Sequence, residues 1–315
     1  MEAKADAMTS PAQVGVGVAP APLASRRLLV ALALIATYVI WGSTYYAMAV
    51  AIKSVPPFLM GSIRYVTAGA LLVLILRLRG AAFPTRRQWK NAAIVGGLLL
   101  FVGNGAVAFA LQYVNSSTTA LTVATTPAWA AIIAIFFTAV RPRWIEWLGI
   151  ALGLAGVVLL HYKSQLPLHP VGLAALLIAT ISWALGSIWS KHLDLPQGLM
   201  ASGAQMLSGG LMLFALSRAK GEHLVQVPSL QSLLALAYLV LFGAMIAFSA
   251  YGYLLKTVSP TLATSNALVN PLVAVAIGVG LGGEPFTVLT VVAMLVILAG
   301  VALLAIAHES PQEPS

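Results

Sequence analysis

Ten apolar runs, each long enough to cross the hydrocarbon core of a bilayer, constrain this sequence more than any other feature. A transmembrane helix needs about 17 to 25 largely apolar residues. The predicted spans are Leu28–Ile52, Phe58–Leu76, Asn91–Tyr113, Ser117–Val140, Trp144–Leu160, Val171–Ser190, Leu199–Ser217, Leu230–Leu255, Thr261–Leu281 and Phe286–Ala307. The runs do not alternate with a period of two, as membrane strands would. We therefore predict an all-α integral membrane protein, and a composition of 60% hydrophobic and 8% charged residues agrees with this class.

The distribution of Lys and Arg predicts the orientation in the membrane, because short cytoplasmic loops are enriched in these residues. With a cytoplasmic N-terminus, the inner side holds Lys4, Arg26, Arg27, Arg77, Arg79, Arg86, Arg87, Lys90, Arg141, Arg143, Lys191 and Lys256. The outer side holds Lys53, Lys163, Arg218 and Lys220. This bias predicts that both termini are cytoplasmic. The net charge of +9 is thus an orientation signal, and the absence of a soluble basic domain argues against nucleic-acid binding.

The sequence contains an internal repeat, in which a unit of five predicted helices occurs twice. The stretch "LIATYVIWGS" of the first span is matched by "LIATISWALGS" of the sixth, and "GLAGVVLL" of the fifth by "ILAGVALL" of the tenth. We divide the chain into a disordered tail (1–27), a first repeat (28–161), a linker (162–170), a second repeat (171–307) and a cytoplasmic tail (308–315). Because five is odd, the second copy is inverted. Inverted repeats recur in secondary transporters, whose substrate sites lie near the midplane at interrupted helices.

Two prolines occupy corresponding places in the fourth and ninth spans. Pro127 aligns with Pro271 without a gap in the surrounding sequence. Proline removes a backbone donor and breaks or kinks a helix, although membrane helices tolerate it more often than soluble ones do. The matched pair predicts hinges beside a central cavity.

Several motifs resemble those of a known family. They are "IWGSTYYAM" in the first span, "SIRYVTAG" in the second, "TISWALGS" in the sixth and "NPLVAVAIGVGLGGEP" in the ninth. From Leu28 to Ala307 the chain resembles the drug/metabolite transporter superfamily, specifically the EamA-like transporters. The resemblance implies ten transmembrane helices in two repeats around a central cavity. It also implies export of amino acids, other small metabolites or drugs by alternating access.

Neutral polar and aromatic side chains within the spans are the candidates for substrate binding. Amides and hydroxyls can hold amino and carboxylate groups, and aromatic faces accept apolar groups or a cation. The candidates are Tyr38, Trp41, Asn104, Thr122, Thr126, Trp183, Ser187, Tyr251, Asn266 and Asn270. The alternative is structural: Trp and Tyr gather at membrane interfaces, and Ser, Thr and Asn join helices to one another. Tyr45, near a span end, is assigned to the interface.

Arg64 is the one charge well inside a predicted span. Its forked donors suit contact with a carboxylate or phosphate. The structural alternative is that it snorkels to the outer surface or binds backbone carbonyls at a helix end. The second interpretation is favoured, because its counterpart in the other repeat is Ala204.

The eight acidic residues fall in tails, loops or helix ends, which favours facilitated diffusion or exchange over ion coupling, although Glu146, His161 and Glu284 could titrate. No histidine lies within a span, the chain has no cysteine, and no phosphate-cradling motif is present. We predict a transporter and not an enzyme, with no cofactor and no metal. Its partners are a small-molecule substrate and the lipid bilayer, it is a monomer or weak dimer, and it lies in a bacterial-type inner membrane. A structural or sensory membrane protein without transport is the alternative class.

Overall fold

The protein is described here by a computed structural model that covers residues 23–114, 116–138, 141–160, 169–282 and 287–309. Most of the predicted linker 162–170 and of both predicted tails lies outside these residues, as do His161 and Glu284. The first helix begins at Leu23, so the end of the predicted disordered tail is helical.

Each predicted span coincides with helix. The α-helices are α1 (Leu23–Ala51), α2 (Pro57–Leu78), α3 (Arg86–Gly96), α4 (Gly105–Ala110), α5 (Ser116–Val123), α6 (Thr126–Phe137), α7 (Trp144–Leu160), α8 (Pro170–His192), α9 (Leu199–Ala219), α10 (Leu230–Tyr238), α11 (Ala247–Thr257), α12 (Pro260–Ala263), α13 (Asn266–Gly282) and α14 (Val288–Glu309). Over the described residues, eight helical stretches are long and apolar enough to cross a membrane, and α7 is a shorter apolar helix. The prediction of an all-α membrane protein is confirmed.

Several helices begin at residues that satisfy their free backbone donors. Thr85 and Gln88 form a reciprocal capping box at the start of α3. Ser229 and Ser259 accept hydrogen bonds from the first turns of α10 and α12. These caps lie where chain segments leave or enter the apolar layer, so they fix the helix ends at its borders.

Helix packing follows the two-fold repeat. Helix α2 packs along α9, its counterpart in the second copy, and α7 packs along α14 in the same way. Contacts between copies are matched too: α1 lies against α13 and α11, while α8 lies against α6 and α4. Small residues allow the closest approach, since a Cβ atom placed on Gly300 of α14 would lie 2.6 Å from the carbonyl oxygen of Gly149 in α7. The arrangement is that of two inverted five-helix repeats.

The fourth and ninth spans are each interrupted. Helices α5 and α6 are parted at residues 124–125, and α12 and α13 at residues 264–265. Pro127 lies in the first turn of α6, where its missing donor costs nothing. Pro271, in contrast, lies inside α13, beyond the interruption. The two prolines align in sequence but differ in their position relative to the break.

The third and eighth spans each contain a π-helical segment that the sequence did not predict. The first π segment is Gly97–Asn104 and the second is Leu239–Ile246. They occupy corresponding places between α3 and α4 and between α10 and α11. Because π-helical turns are rare and frequent at functional sites, their recurrence in both copies draws attention to the space between them.

Candidate functional site

A cavity with an empty volume of about 680 Å³ lies between the two repeats. Both copies build its wall, and both π segments and both interrupted spans contribute residues to it. Six predicted candidates and Arg64 lie on it; they are Trp41, Asn104, Thr126, Trp183, Asn266 and Asn270, with Arg64 from α2.

The other four candidates do not line the cavity, and three of them join helices. The Tyr38 hydroxyl is 2.7 Å from the hydroxyl of Ser265 at the break of the ninth span. The Tyr251 hydroxyl is 2.6 Å from the Ser187 hydroxyl. Thr122 donates to the carbonyl of its own helix four residues earlier, at 2.9 Å. These residues support the cavity by packing and hydrogen bonding, and they do not line it.

An aromatic cluster joins the two copies at the cavity wall. Trp41 of α1 and Trp183 of α8 meet edge to face, with ring centroids 5.5 Å apart. Tyr251 lies 5.0 Å from the first ring and 5.5 Å from the second, and it accepts a hydrogen bond from Trp183 Nε1 at 2.9 Å. Trp41 Nε1 donates to the carbonyl of Gly243, in the second π segment, at 3.0 Å. The cluster thereby ties the first helix of each copy to the eighth span.

Most threonine hydroxyls on the wall donate hydrogen bonds to backbone carbonyls of their own segments. The donor and acceptor pairs are Thr44 Oγ1 to Trp41 O, Thr126 Oγ1 to Val123 O, Thr180 Oγ1 to Leu177 O and Thr264 Oγ1 to Pro260 O. The Asn266 amide also bonds to the backbone. In its favourable orientation, the nitrogen donates to Ala263 O at 3.1 Å and the oxygen accepts from Ala267 N at 3.3 Å. Back-bonds of this kind often bend helices, and they leave few groups on the wall for a ligand.

Three polar side chains on the wall have uncommitted groups. Arg64 is 3% exposed, with its guanidinium carbon 4.8 Å from the centroid of the Tyr65 ring. Its Nε has no hydrogen-bond partner, and neither has the buried Oδ1 of Asn270. Over the part of the chain that the structure describes, the Asn104 amide also makes no hydrogen bond. The expectation that Arg64 snorkels to the surface is wrong, since its side chain is buried on the cavity.

Tyr45 was misassigned to the interface, because it lines the cavity. Its neighbour Tyr46 is 62% exposed and faces outward. A signal for Tyr45 was present in the sequence: Trp41, Thr44, Tyr45 and Met48 have the spacing of one helical face, and all four border the cavity. Other lining residues that the sequence analysis missed are Tyr65, Thr180 and Phe248.

Charged groups are arranged near the two ends of the bundle. Lys191 Nζ donates to the carbonyl of Val258 at the end of α11, at 2.6 Å. The buried carboxylate of Glu146 accepts from the Thr261 hydroxyl. At the opposite end, Glu222 accepts from the first backbone amides of α2. In the described ranges, no group of three or more His, Asp or Glu residues could hold a metal ion.

Two inverted helical repeats around a cavity of mixed polar and aromatic character are the architecture of a membrane transporter. The model of the EamA-like transporter family matches residues 28–162 and 170–306, and the chain belongs to this family, within the drug/metabolite transporter superfamily. Across 272 residues the chain is 45% identical to the "Uncharacterized inner membrane transporter YedA" of Escherichia coli K12, covering 86% of this chain and 89% of that protein.

More distant proteins agree in length and fold. The "Uncharacterized transporter YoaV" of Bacillus subtilis is 24% identical over 284 residues, covering 86% of this chain and 95% of its own. A solved structure titled "Crystal structure of protein" superimposes with a TM-score of 0.74 at 20% identity, covering 91% of this chain and 99% of that one. This likeness shows the fold alone. The family and its named members are transporters, which are not a class of enzyme.

Proposed function

We propose that this protein exports small metabolites, with amino acids as the first substrate class, across the inner membrane by alternating access. The observation that carries the proposal is the cavity between the repeats, whose free groups are two amides and one guanidinium beside an aromatic cluster. Such a set can bind the polar head and the apolar side chain of an amino acid. The relative named an inner membrane transporter supports the location.

The cycle begins in the cytoplasm, where both termini are placed by the bias of basic residues. Substrate enters the cavity, is held between the repeats, and leaves on the other side when the two bundles rock about it. Inverted repeats support such a cycle, because exchanging the conformations of the two copies generates the opposite-facing state. Pro127 and Pro271 are the proposed hinges in the interrupted spans.

The energy source is proposed to be the substrate gradient, through facilitated diffusion or exchange. No acidic side chain of the described residues lines the cavity. Glu146 is buried, but it lies in the first turn of α7 and accepts hydrogen bonds from Thr261 and from its own helix start. Described residues of both repeats of one chain line the cavity, which supports function as a monomer or weak dimer.

Cationic or aromatic metabolites and drugs are the second candidate class. The aromatic cluster of Trp41, Trp183 and Tyr251 favours them, because a cation is attracted to the faces of such rings. The buried positive charge of Arg64 repels a cation, so we rank this class second, after amino acids.

The test is efflux of a labelled mixture of amino acids and aromatic amines from proteoliposomes, with and without an imposed pH gradient. We expect release of particular amino acids that does not depend on the gradient and is lost in Asn104→Leu, which removes an amide from the cavity. Gln112→Leu is the matched control, because it removes an exposed amide at the outer end of the same span. Release that needs a proton gradient would overturn the facilitator mechanism. Release of aromatic amines alone would move the second class to first place.

A further inference from the structure

We propose that Arg64 is the anion-binding residue of the cavity, and that a substrate must carry an anionic group that pairs with it. For an amino acid this group is the α-carboxylate. The inference rests on the proposed function for the location of the substrate, but it adds a chemical requirement that transport alone does not impose.

The burial of Arg64 without a partner is the first step of the argument. The side chain is 3% exposed, its Nε makes no hydrogen bond, and the described residues include no salt bridge to it. The ring of Tyr65 lies 4.8 Å from the guanidinium carbon, and a terminal nitrogen packs against Gly243 of the second π segment. A ring face replaces only part of the hydration that a buried cation loses. A lysine could shed its proton in such a place, whereas the guanidinium of arginine stays charged.

The described acidic side chains that could neutralise Arg64 are engaged elsewhere. Glu222 binds the amides of Phe58 and Leu59 at the start of α2. Glu146 binds Thr261. Asp194 lies 3.9 Å from Arg87. Among the residues that the structure describes, none neutralises the positive charge in the cavity, which leaves it available to a bound anionic group.

The terminal nitrogens of Arg64 are accessible to such a group. Arg64 lines the cavity, its Nε alone among its nitrogens is both fully buried and unpartnered, and within the described ranges the terminal nitrogens form no hydrogen bond. The planar fork of a guanidinium matches the two oxygens of a carboxylate and can bind them together. Burial next to the cavity strengthens that contact, because the surroundings screen charge less than water does.

Asn270 supplies the complementary group for an amino acid. Its Oδ1 is buried, has no partner and lies on the same cavity. Arg64 offers donors only, and the Asn270 oxygen is an acceptor. A ligand with a carboxylate and an ammonium group satisfies both, whereas an amine without a carboxylate meets an uncompensated positive charge.

The experiment measures ligand-induced shifts in the unfolding temperature of the purified protein. The probes are amino acids with their amides, such as leucine and leucinamide, together with 4-methylpentanoate and glycerol 3-phosphate. The variants are Arg64→Gln, which removes the charge, and Arg64→Lys, which keeps the charge without the fork. Arg218→Gln is the matched control, since it removes an exposed charge from the end of α9.

We expect the amino acid that binds most tightly to bind about 10- to 100-fold more weakly in Arg64→Gln, the range for losing a hydrogen-bonded charge. Arg64→Lys should fall between wild type and Arg64→Gln, and Arg218→Gln should bind as wild type does. The corresponding amide should bind weakly to the wild type and equally weakly to Arg64→Gln. Removing the carboxylate from the ligand and removing the guanidinium from the protein abolish the same interaction, so the two effects do not add.

The remaining outcomes separate the two proposals. If acid and amide bind equally well and Arg64→Gln has no effect, Arg64 is not an anion site, while amino-acid export can stand. If no amino acid binds but 4-methylpentanoate or glycerol 3-phosphate does so through Arg64, the anion site stands and the amino-acid assignment falls. If amines alone bind, or if no probe binds, both proposals are overturned.

Discussion

Replacing Gly69 of α2 by alanine should separate α2 from α9 and destabilise the protein. A Cβ atom at this position would lie 2.5 Å from the backbone nitrogen of Leu207 and 2.9 Å from the carbonyl oxygen of Gly203. Backbone atoms of a packed helix cannot rotate out of the way, and overpacking costs about 1 to 3 kcal/mol. The gain in helix propensity from Gly to Ala offsets about 1 kcal/mol. We therefore expect a net loss of up to about 2 kcal/mol in the free energy of unfolding.

Gly61→Ala is the matched control, since it makes the same change in the same helix, also at a buried position. There the new Cβ meets only Cδ1 of Leu213, at 3.0 Å, the far end of a flexible side chain that can shift. The net effect should lie between no change and a gain of about 1 kcal/mol. The assay is reversible unfolding by denaturant in mixed micelles, with the three proteins in parallel. Equal midpoints for Gly69→Ala and Gly61→Ala would refute the close backbone contact of α2 and α9.

Three further changes test other contacts. Glu222→Gln weakens the charged cap at the start of α2, and a loss of about 0.5 to 1 kcal/mol that shrinks at high salt should appear in denaturant unfolding. Tyr251→Phe leaves the buried Nε1 of Trp183 without its acceptor and should cost about 1 to 3 kcal/mol in the same assay; an unchanged midpoint would contradict that bond. Pro127→Ala combined with Pro271→Ala should slow transport and alter protease accessibility on both faces, and unchanged values would end the hinge hypothesis.

The helical architecture could be predicted from the sequence because lipid permits few alternatives. A spanning segment in hydrocarbon must satisfy its own backbone, so the length and apolarity of a run nearly determine a helix. The repeated motifs then paired the spans without any knowledge of packing. The interruption of the ninth span was harder, since residues 264–265 contain neither proline nor glycine. There the hydroxyls of Thr264 and Ser265 bond to preceding carbonyls, and this depends on the surrounding helices.

The candidate site could be predicted only in part. Trp41 and Trp183 could be predicted as cavity residues because they lie deep within their spans. Tyr45 was assigned to the interface because it lies near a span end, although it shares a helical face with Trp41. Arg64 was misjudged because its counterpart, Ala204, is apolar. A repeat conserves packing positions, but a ligand need not be symmetric, so the binding groups of the two copies can differ. The π segments have no compositional signal, since an extra residue in a turn is decided by neighbouring helices.

The edge-to-face pair of Trp41 and Trp183 gives this protein a built-in optical sensor. Indole emission changes with the polarity of its surroundings, and both rings border the space where a ligand would displace water. The chain has seven tryptophans. Those outside the pair add background emission, as Trp144 does, whose side chain is 73% exposed. Replacing the five tryptophans outside the pair by phenylalanine would leave two emitters, one from each repeat. Occupancy and rocking could then be followed in real time without any attached dye.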